Sequence, residues 1–488
     1  MLKEEKMSKR LVILFCALFV FAAAVPAFAA VQNIKVSGDI LARYIGRNNF
    51  DLTKGGTDLE DHKDDISVFN SVVRLRVDAD LTDNVGATVR LINERNWEEN
   101  DTTNSDIDLD LAFVTLKEFL YSPLTLTIGR QELHFGNDMI IGDGVGDPNR
   151  NAVSGGIGTN QTTNYTEAAG YGSVNGDLAY RKAFDSIRAT LNYDPLVIDV
   201  VYAAIDHENI TGSETNDWIN LYGINAAYQF ADKWNTLAEG YFWSKDDSSA
   251  KYLGANTAVD KLDSVQTIGG RISTMPTSKL NVQQEIAYQF GTKVSPVATG
   301  IVERDRSAWA SQSVVMYTPG WKYTPTFGLI YSYFSGDANR DSTGLGANAG
   351  KTFHAWDPMF ENQTNGHIIN ALFPQSNAHN IDMMGKFSPI EDVWLQMDYV
   401  YLLMAKASSI SGVMDMNDYD GSGYYFNAGK KALGQEIDVN LIYNYTEDVQ
   451  LGLLCGWFFP GKAIASESSG SKQGETATEA IASCKVSF

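Results

Sequence analysis

The chain has 488 residues and carries 60 acidic against 38 basic side chains, a formal net charge of −22. That balance excludes a nucleic-acid-binding surface, which needs clustered cations to displace the counterions of a phosphate backbone. After the leader segment only Cys455 and Cys484 remain, too few for a disulfide-dense scaffold or a four-thiolate zinc site.

Residues 1–29 read as an export signal: Lys9 and Arg10 precede an apolar run from Leu11 to Val25, and Ala27-Phe28-Ala29 supplies the small residues for cleavage after Ala29. Cys16 sits mid-run, so a lipid anchor on it is not expected. Beyond the leader no stretch approaches the roughly 18 to 20 apolar residues that a spanning helix requires. Residues 30–488, read as one domain, therefore cross a membrane as a barrel or not at all.

In chain order, windows rich in Val, Ile, Leu, Tyr and Thr predict eighteen strands near 33–45, 66–81, 84–93, 106–118, 122–131, 184–193, 195–206, 216–230, 234–245, 261–275, 278–292, 306–318, 322–335, 378–388, 391–404, 433–446, 449–459 and 479–488. Helical i, i+3, i+4 patterns are almost absent. The connections alternate in kind. Short ones with turn chemistry, such as Tyr193-Asp194-Pro195, Thr318-Pro319-Gly320-Trp321 and Ser388-Pro389-Ile390-Glu391, are separated by long ones, the longest about fifty residues between Glu132 and Ala183. An even strand number with tight turns at one end and long loops at the other is what an outer-membrane barrel requires. The expected fold is thus all-β: a transmembrane antiparallel β-barrel of about eighteen strands, with short periplasmic turns and long extracellular loops, in the outer membrane of a Gram-negative bacterium. The last strand ends in Phe488, with Val486, Cys484 and Ala482 on its face, and resembles the signal read by the barrel-assembly machinery. Aromatics next to the short turns, among them Tyr121, Trp234, Trp321 and Tyr445, suit an interfacial girdle.

Strand parity assigns faces, because outward residues meet lipid and inward ones meet water. In 72–81, Val73, Leu75, Val77, Ala79 and Leu81 face lipid, leaving Arg74, Arg76, Asp78 and Asp80 inside; in 433–446, Glu436 and Asp438 face the pore. The same rule turns Arg43, Arg90, Arg188, Asp39, Asp106, Asp108, Asp110, Asp199, Glu285 and Asp398 inward. Two arrangements fit such a mixed lumen. Cations on one wall and anions on the other would form a transverse ladder, or the charges pair with one another to satisfy a wide polar interior.

No cofactor is expected. The six histidines are scattered without metal-ligand spacing, and no Gly-x-Ser-x-Gly elbow is present. Asp415, Asn417, Asp418 and Asp420 are the candidates for loose calcium binding in an acidic loop. Cys455 and Cys484 lie on the last two strands; a register pairing Phe459 with Ile481 would bring them close enough for a disulfide, and two separate thiols are the alternative.

The stretch Ile128-Gly129-Arg130-Gln131-Glu132-Leu133-His134-Phe135-Gly136, running on to Ile140-Ile141-Gly142, resembles the alginate-export family of outer-membrane porins. Tyr333-Phe334-Ser335-Gly336-Asp337 with the following loop, Gly434-Gln435-Glu436-Ile437-Asp438, and Trp457-Phe458-Phe459-Pro460-Gly461 extend the resemblance over most of the chain. It implies a monomeric eighteen-stranded barrel that passes an anionic polysaccharide through an arginine-lined constriction. Arg130 is the residue carried over by motif, although Leu124, Leu126 and Ile128 share its face, which requires a bulge or a position at the membrane rim. The acidity of the chain, with Asp106, Asp108 and Asp110 together inside, departs from what an alginate conduit would want.

The expected function is therefore that of a porin conducting a polar or charged solute, saccharides included, by passive diffusion or export, with the loop 132–183 folding inward as a partial gate. Its expected partners are that solute, outer-membrane lipid and lipopolysaccharide, and the assembly machinery, with no nucleic acid. Two other readings are a scaffold or surface receptor closed by its loops and a secreted all-β polysaccharide-degrading enzyme. The enzyme reading predicts an internal coil repeat that the sequence lacks.

Overall fold

The computed structural model describes residues 33–50, 52–54, 65–97, 107–144, 177–209, 216–248, 262–297, 300–337, 351–407, 412–414, 424–464 and 472–488. The cleavage site expected after Ala29 lies outside the described residues, as do Asp106 and the calcium candidates Asp415, Asn417, Asp418 and Asp420.

Eighteen strands form the wall: β1 (Asn33–Asn48), β2 (Ile66–Thr82), β3 (Val85–Asn96), β4 (Asp108–Leu116), β5 (Leu124–Gln131), β6 (Phe184–Asn192), β7 (Leu196–Asn209), β8 (Asn216–Gln229), β9 (Leu237–Asp247), β10 (Asp263–Thr277), β11 (Leu280–Val297), β12 (Gly300–Tyr317), β13 (Thr326–Phe334), β14 (Ala378–Ile390), β15 (Val393–Met404), β16 (Ala432–Asn444), β17 (Val449–Pro460) and β18 (Ala477–Ser487). Each pairs antiparallel with its chain neighbours. The first strand also pairs with the last, from Asp39 opposite Ser487 to Asn48 opposite Thr478, and closes the barrel. Closure leaves no sheet edge, which a bilayer demands because lipid cannot hydrogen-bond an open strand. No helix among the described residues is long and apolar enough to cross a membrane.

The chain end helps to seal this seam. The Phe488 N–H donates to the Gly38 carbonyl at 3.0 Å, the Gly38 N–H returns a bond to Phe488 O at 2.9 Å, and the Phe488 ring lies where a side chain at Gly38 would project.

Face alternation follows the parity of the sequence. Val73, Leu75, Ile224, Ile268, Leu441 and Leu453 point outward into what is lipid, while Arg74, Asn225, Thr267, Asp438 and Leu454 point inward. Bulges break the period in places, among them β7 at Ile205, β16 at Leu433 and β4 at Asp110. Arg90 pairs with Leu111 and Leu91 with Leu109, so Asp110 is the extra residue and both Asp110 and Leu111 are buried inside.

Strands β11 and β12 run eighteen residues each, far beyond the roughly 9 to 11 that a bilayer needs. The predicted loop between 292 and 306 is in fact the far end of this hairpin, since the alternation of Thr292 and Val294 with Lys293 continues past the membrane and keeps its register against Arg304 and Asp305.

The register also settles the cysteines. Cys455 lies opposite Ala480 and Cys484 opposite Leu451, four residues apart along the hairpin, or about 13 Å at strand rise. Both thiols are free, and the Phe459–Ile481 pairing that a disulfide needed is replaced by Leu454 opposite Ile481.

The apolar core sits inside the barrel at its long-loop end. Lumen-facing Val201, Leu221, Trp243, Val265, Phe334 and Phe458 pack against Leu133, Phe135, Ile140, Trp356, Phe360 and Ile369 of two loops that turn inward. Trp243 reaches this core by lying across Gly223 of the neighbouring strand, where a β-carbon would stand 1.7 Å from the indole. Gly223→Ala therefore forces the indole off its rotamer. The expected cost is about 1–3 kcal/mol, read as a lower denaturation midpoint together with a shift in tryptophan emission.

Candidate functional site

The lumen is narrowed by residues 132–144 and 177–183, between β5 and β6, and by residues 351–377, between β13 and β14. The second loop carries the short helix α1 (His367–Leu372). The two loops clasp one another through backbone. The Gly142 and Asp143 N–H groups donate to the Phe360 carbonyl at 2.7 and 3.0 Å, Phe360 N–H donates to Ile140 O at 3.1 Å, and Asn362 N–H donates to Asp138 O at 2.9 Å. Lys182 Nζ joins both loops by bonds to Asp143 and Asn362 at 2.8 and 2.9 Å.

Irregular backbone inside a barrel must find partners on the wall, because an unpaired buried N–H or C=O is costly. The wall provides them. Gln289 of β11 donates to the Asp357 carbonyl and accepts from the Asp357 N–H, at 2.7 and 2.8 Å, while Lys245 of β9 holds the Asp357 carboxylate at 2.8 Å. Glu436 of β16 accepts the N–H groups of Ile368 and Ile369 at 2.7 Å each, and Asp438 accepts that of His367 at 3.3 Å.

The inward arginines are paired rather than arrayed. Arg74 holds Asp39 in a two-pronged bond at 2.9 and 3.1 Å, Arg76 holds Asp78 at 2.8 and 2.9 Å, and Arg188 bonds Asp199 at 2.7 Å. Arg90 is clamped between Asp110 and Glu132. Arg43, almost wholly buried, donates to Asn70 Oδ1 at 2.9 Å and to the Leu178 carbonyl at 3.1 Å. Tyr180 lies beneath both Arg43 and Arg74, with its ring centre 5.8 and 4.8 Å from their guanidinium carbons.

Of the expected aspartate row, Asp110 is thus committed to Arg90 and Asp108 to Arg181, which also bonds Glu94 at 3.1 Å. Pairing, not the transverse ladder, describes this side of the lumen. The ladder fails because Arg74, Arg76, Arg90 and Arg188 each have a carboxylate in hydrogen-bond contact while Arg43 is held by neutral oxygens, and a partly desolvated pair is favoured over two separated charges.

Arg130 does not line the pore. The β4–β5 pairing runs unbroken through Ala112 opposite Arg130, so no bulge reverses its parity, and it shares the outward face with Ile128. There, at the long-loop end of the wall, it is neutralised by Asp185 at 2.7 and 2.9 Å and donates a further bond to the Leu109 carbonyl at 3.1 Å. A lipid-facing arginine needs such a partner or access to the interface.

Several residues of the site were not anticipated. Arg47, fully buried, binds Glu479 at 2.6 Å and Asp177 at 2.6 and 3.0 Å, with its guanidinium 4.8 Å above the Phe50 ring. Arg306 bonds Asp263 at 2.5 Å, and Asp263 also binds Lys293 at 2.8 Å. The inward loop 351–377 itself carried one legible signal: Trp356, Met359, Phe360, Ile368, Ile369, Leu372 and Phe373 are far too apolar for a loop in water. Among the described residues no group of three or more His, Cys, Asp or Glu side chains is placed to hold a metal ion.

Two comparisons bear on this geometry. The barrel is similar to Pseudomonas aeruginosa OccK11 (OpdR), with a TM-score of 0.52 at 9% identity over 94% of this chain and 96% of that one. It is similar also to P. aeruginosa OccK2 (OpdF), solved in complex with glucuronate, with a TM-score of 0.52 at 11% identity over 94% and 99%. Identities this low speak for the fold alone. No curated protein matches the sequence. The family model for alginate export, in contrast, matches residues 173–478, more than half of the chain and every strand from β6 to β17. With a closed eighteen-stranded wall, charges turned inward and apolar residues turned to lipid, the chain belongs to the alginate-export family and is an outer-membrane porin for the passage of solute.

Proposed function

We propose that this porin works as a monomeric, passive conduit for a polar solute of about monosaccharide size, and that its work is passage and not covalent chemistry. The observation that carries the reading is the loop clasp at Phe360: it packs two loops against the apolar part of the wall inside the barrel and narrows the lumen there, so a single small sugar fits better than an advancing polysaccharide chain. The glucuronate of the OccK2 complex, a single sugar acid bound by a protein of this fold, agrees with the size of that solute and says nothing of its charge. Closure of the barrel within one chain, by β1 on β18, supports the monomer. Insertion by the assembly machinery through Phe488, and lipid and lipopolysaccharide as the surroundings of the outer face, belong to the same reading.

Liposome swelling tests it. Vesicles holding the refolded, signal-free protein should swell rapidly in a hexose, and much more slowly in a uronate oligosaccharide of several residues. Equal rates for both would favour polysaccharide export. No swelling in either would return the protein to the closed scaffold or receptor.

A further inference from the structure

One stretch of the lumenal wall departs from the pairing of charges. Asp382 on β14, Asp398 on β15, and Glu436 and Asp438 on β16 occupy the inward face of three adjacent strands. Val400 stands opposite both Asp382 and Glu436, and Asp398 is directly opposite Asp438. None of the four takes part in an ion pair among the described residues, whereas the lumen-facing Arg43, Arg74, Arg76 and Arg90 of β1–β3 each hold a carboxylate or a buried polar partner. Lys386, four residues along β14 from Asp382, instead lays its ammonium over the Trp394 ring, 4.0 Å from the ring centre. The basic group nearest in charge to Asp398 and Asp438 is His367 of α1, whose backbone N–H is already bonded to Asp438.

Glu436 is fully engaged by α1, but its neighbours are not. Asp382, 6% exposed, makes no hydrogen bond among the described residues, and its Oδ1 is buried without a donor while facing Asp398 and Asp438. Asp438 accepts the His367 N–H at Oδ2, and its Oδ1 is buried with no donor among the described residues; the amide oxygen of Asn380, two residues from Asp382 on the same face, is buried without a donor there as well. Asp398, only partly buried and bonded to its own neighbour Gln396 at 2.9 and 3.1 Å, opens the group to the lumen. Three oxygens without donors, beside a lumen-facing carboxylate, make a wall rich in acceptors and poor in donors, which an ammonium group would complete with both N–H donors and countercharge.

We propose that this wall is a cation subsite of the pore, taking the primary ammonium group of an amine-bearing solute, with potassium as its inorganic substitute. The proposal rests on the porin reading and adds to it the charge class of the solute. A resident divalent metal is not the ligand we assign, because the side chains are not placed to enclose one.

The test uses the full signal-free chain and the double variant Asp382→Asn with Asp398→Asn, which spares the two acids that hold α1. Spermidine at constant ionic strength is the amine probe. It should raise the unfolding temperature of the detergent-refolded wild type by several degrees, and that rise should vanish in the double variant, whose transition without probe shows that it is folded. In planar bilayers under a potassium chloride gradient the wild type should be cation-selective, and the variant should lose several-fold in its potassium-to-chloride permeability ratio. A wild type that conducts, but is unselective or anion-selective and indifferent to spermidine, overturns the subsite and leaves the porin intact. A wild type that passes no current yet is stabilised by spermidine through these two aspartates keeps the subsite and overturns the porin reading. Selectivity that depends on the aspartates without any response to spermidine overturns the amine as ligand.

Discussion

Replacement of residues 351–377 by a short glycine–serine turn is expected to raise single-channel conductance several-fold over the full chain. That segment contributes Trp356, Met359, Phe360, Ile368, Ile369, Leu372 and Phe373 to the apolar mass inside the barrel, and its loss removes the partner that the 132–144 loop grips through Asp138, Gly142 and Asp143. The wall should survive the deletion, because its strands are held by their own ladder and by the outward apolar face. Retention of the heat-modifiable mobility of a folded barrel in electrophoresis checks this. A milder probe of the same contact is Phe360→Ala, which deletes the ring packed edge-on against Phe184 with centres 5.8 Å apart. A buried Phe→Ala change costs about 3–5 kcal/mol, here borne by loop docking, and should appear as noisier and more frequent open states. Conductance unchanged by the deletion would mean that the loops already stand aside in the membrane.

Arg47→Met is expected to be the most damaging single charge removal. Arg47 is fully buried between Glu479 and Asp177, which are themselves buried, so the methionine leaves two carboxylates without their countercharge on the seam where β18 meets β1. Breaking a buried pair from one side costs about 3–5 kcal/mol. The effect should be read as a lower urea midpoint for unfolding from detergent micelles. Adding Glu479→Leu and Asp177→Asn to Arg47→Met should restore much of the loss, because desolvation and not the pair itself sets the penalty. A triple variant no more stable than the single one would refute that account. By contrast, Arg76→Met removes a pair whose partners are each about a third exposed, at 38% and 34%, and should be nearly silent.

All eighteen wall strands were legible from composition and turns, with ends displaced by a few residues and one loop mistaken at 292–306. Local rules suffice there: a two-residue period and turn chemistry are written within ten residues of one another. The same parity turned Arg43, Arg74, Arg90, Glu436 and Asp438 inward, and it already warned that Arg130 shares a face with Leu124 and Ile128. What it could not foresee was the bulge at Asp110, which places two successive residues inside, or the four-residue offset that keeps Cys455 from Cys484.

The sequence by itself determined a barrel, its strand number and the sign of each face, because lipid outside and water inside impose a pattern that every strand must satisfy alone. Only the tertiary structure decided that the lumen is narrowed by two clasped loops, that Arg47 is buried against acids 130 and 432 positions away, and that Asp382, Asp398 and Asp438 have no ion-pair partner among the described residues. Those outcomes depend on the shear of the closed sheet and on which loop reaches which wall. Both bring together residues distant in the chain, and neither leaves a local periodicity to read.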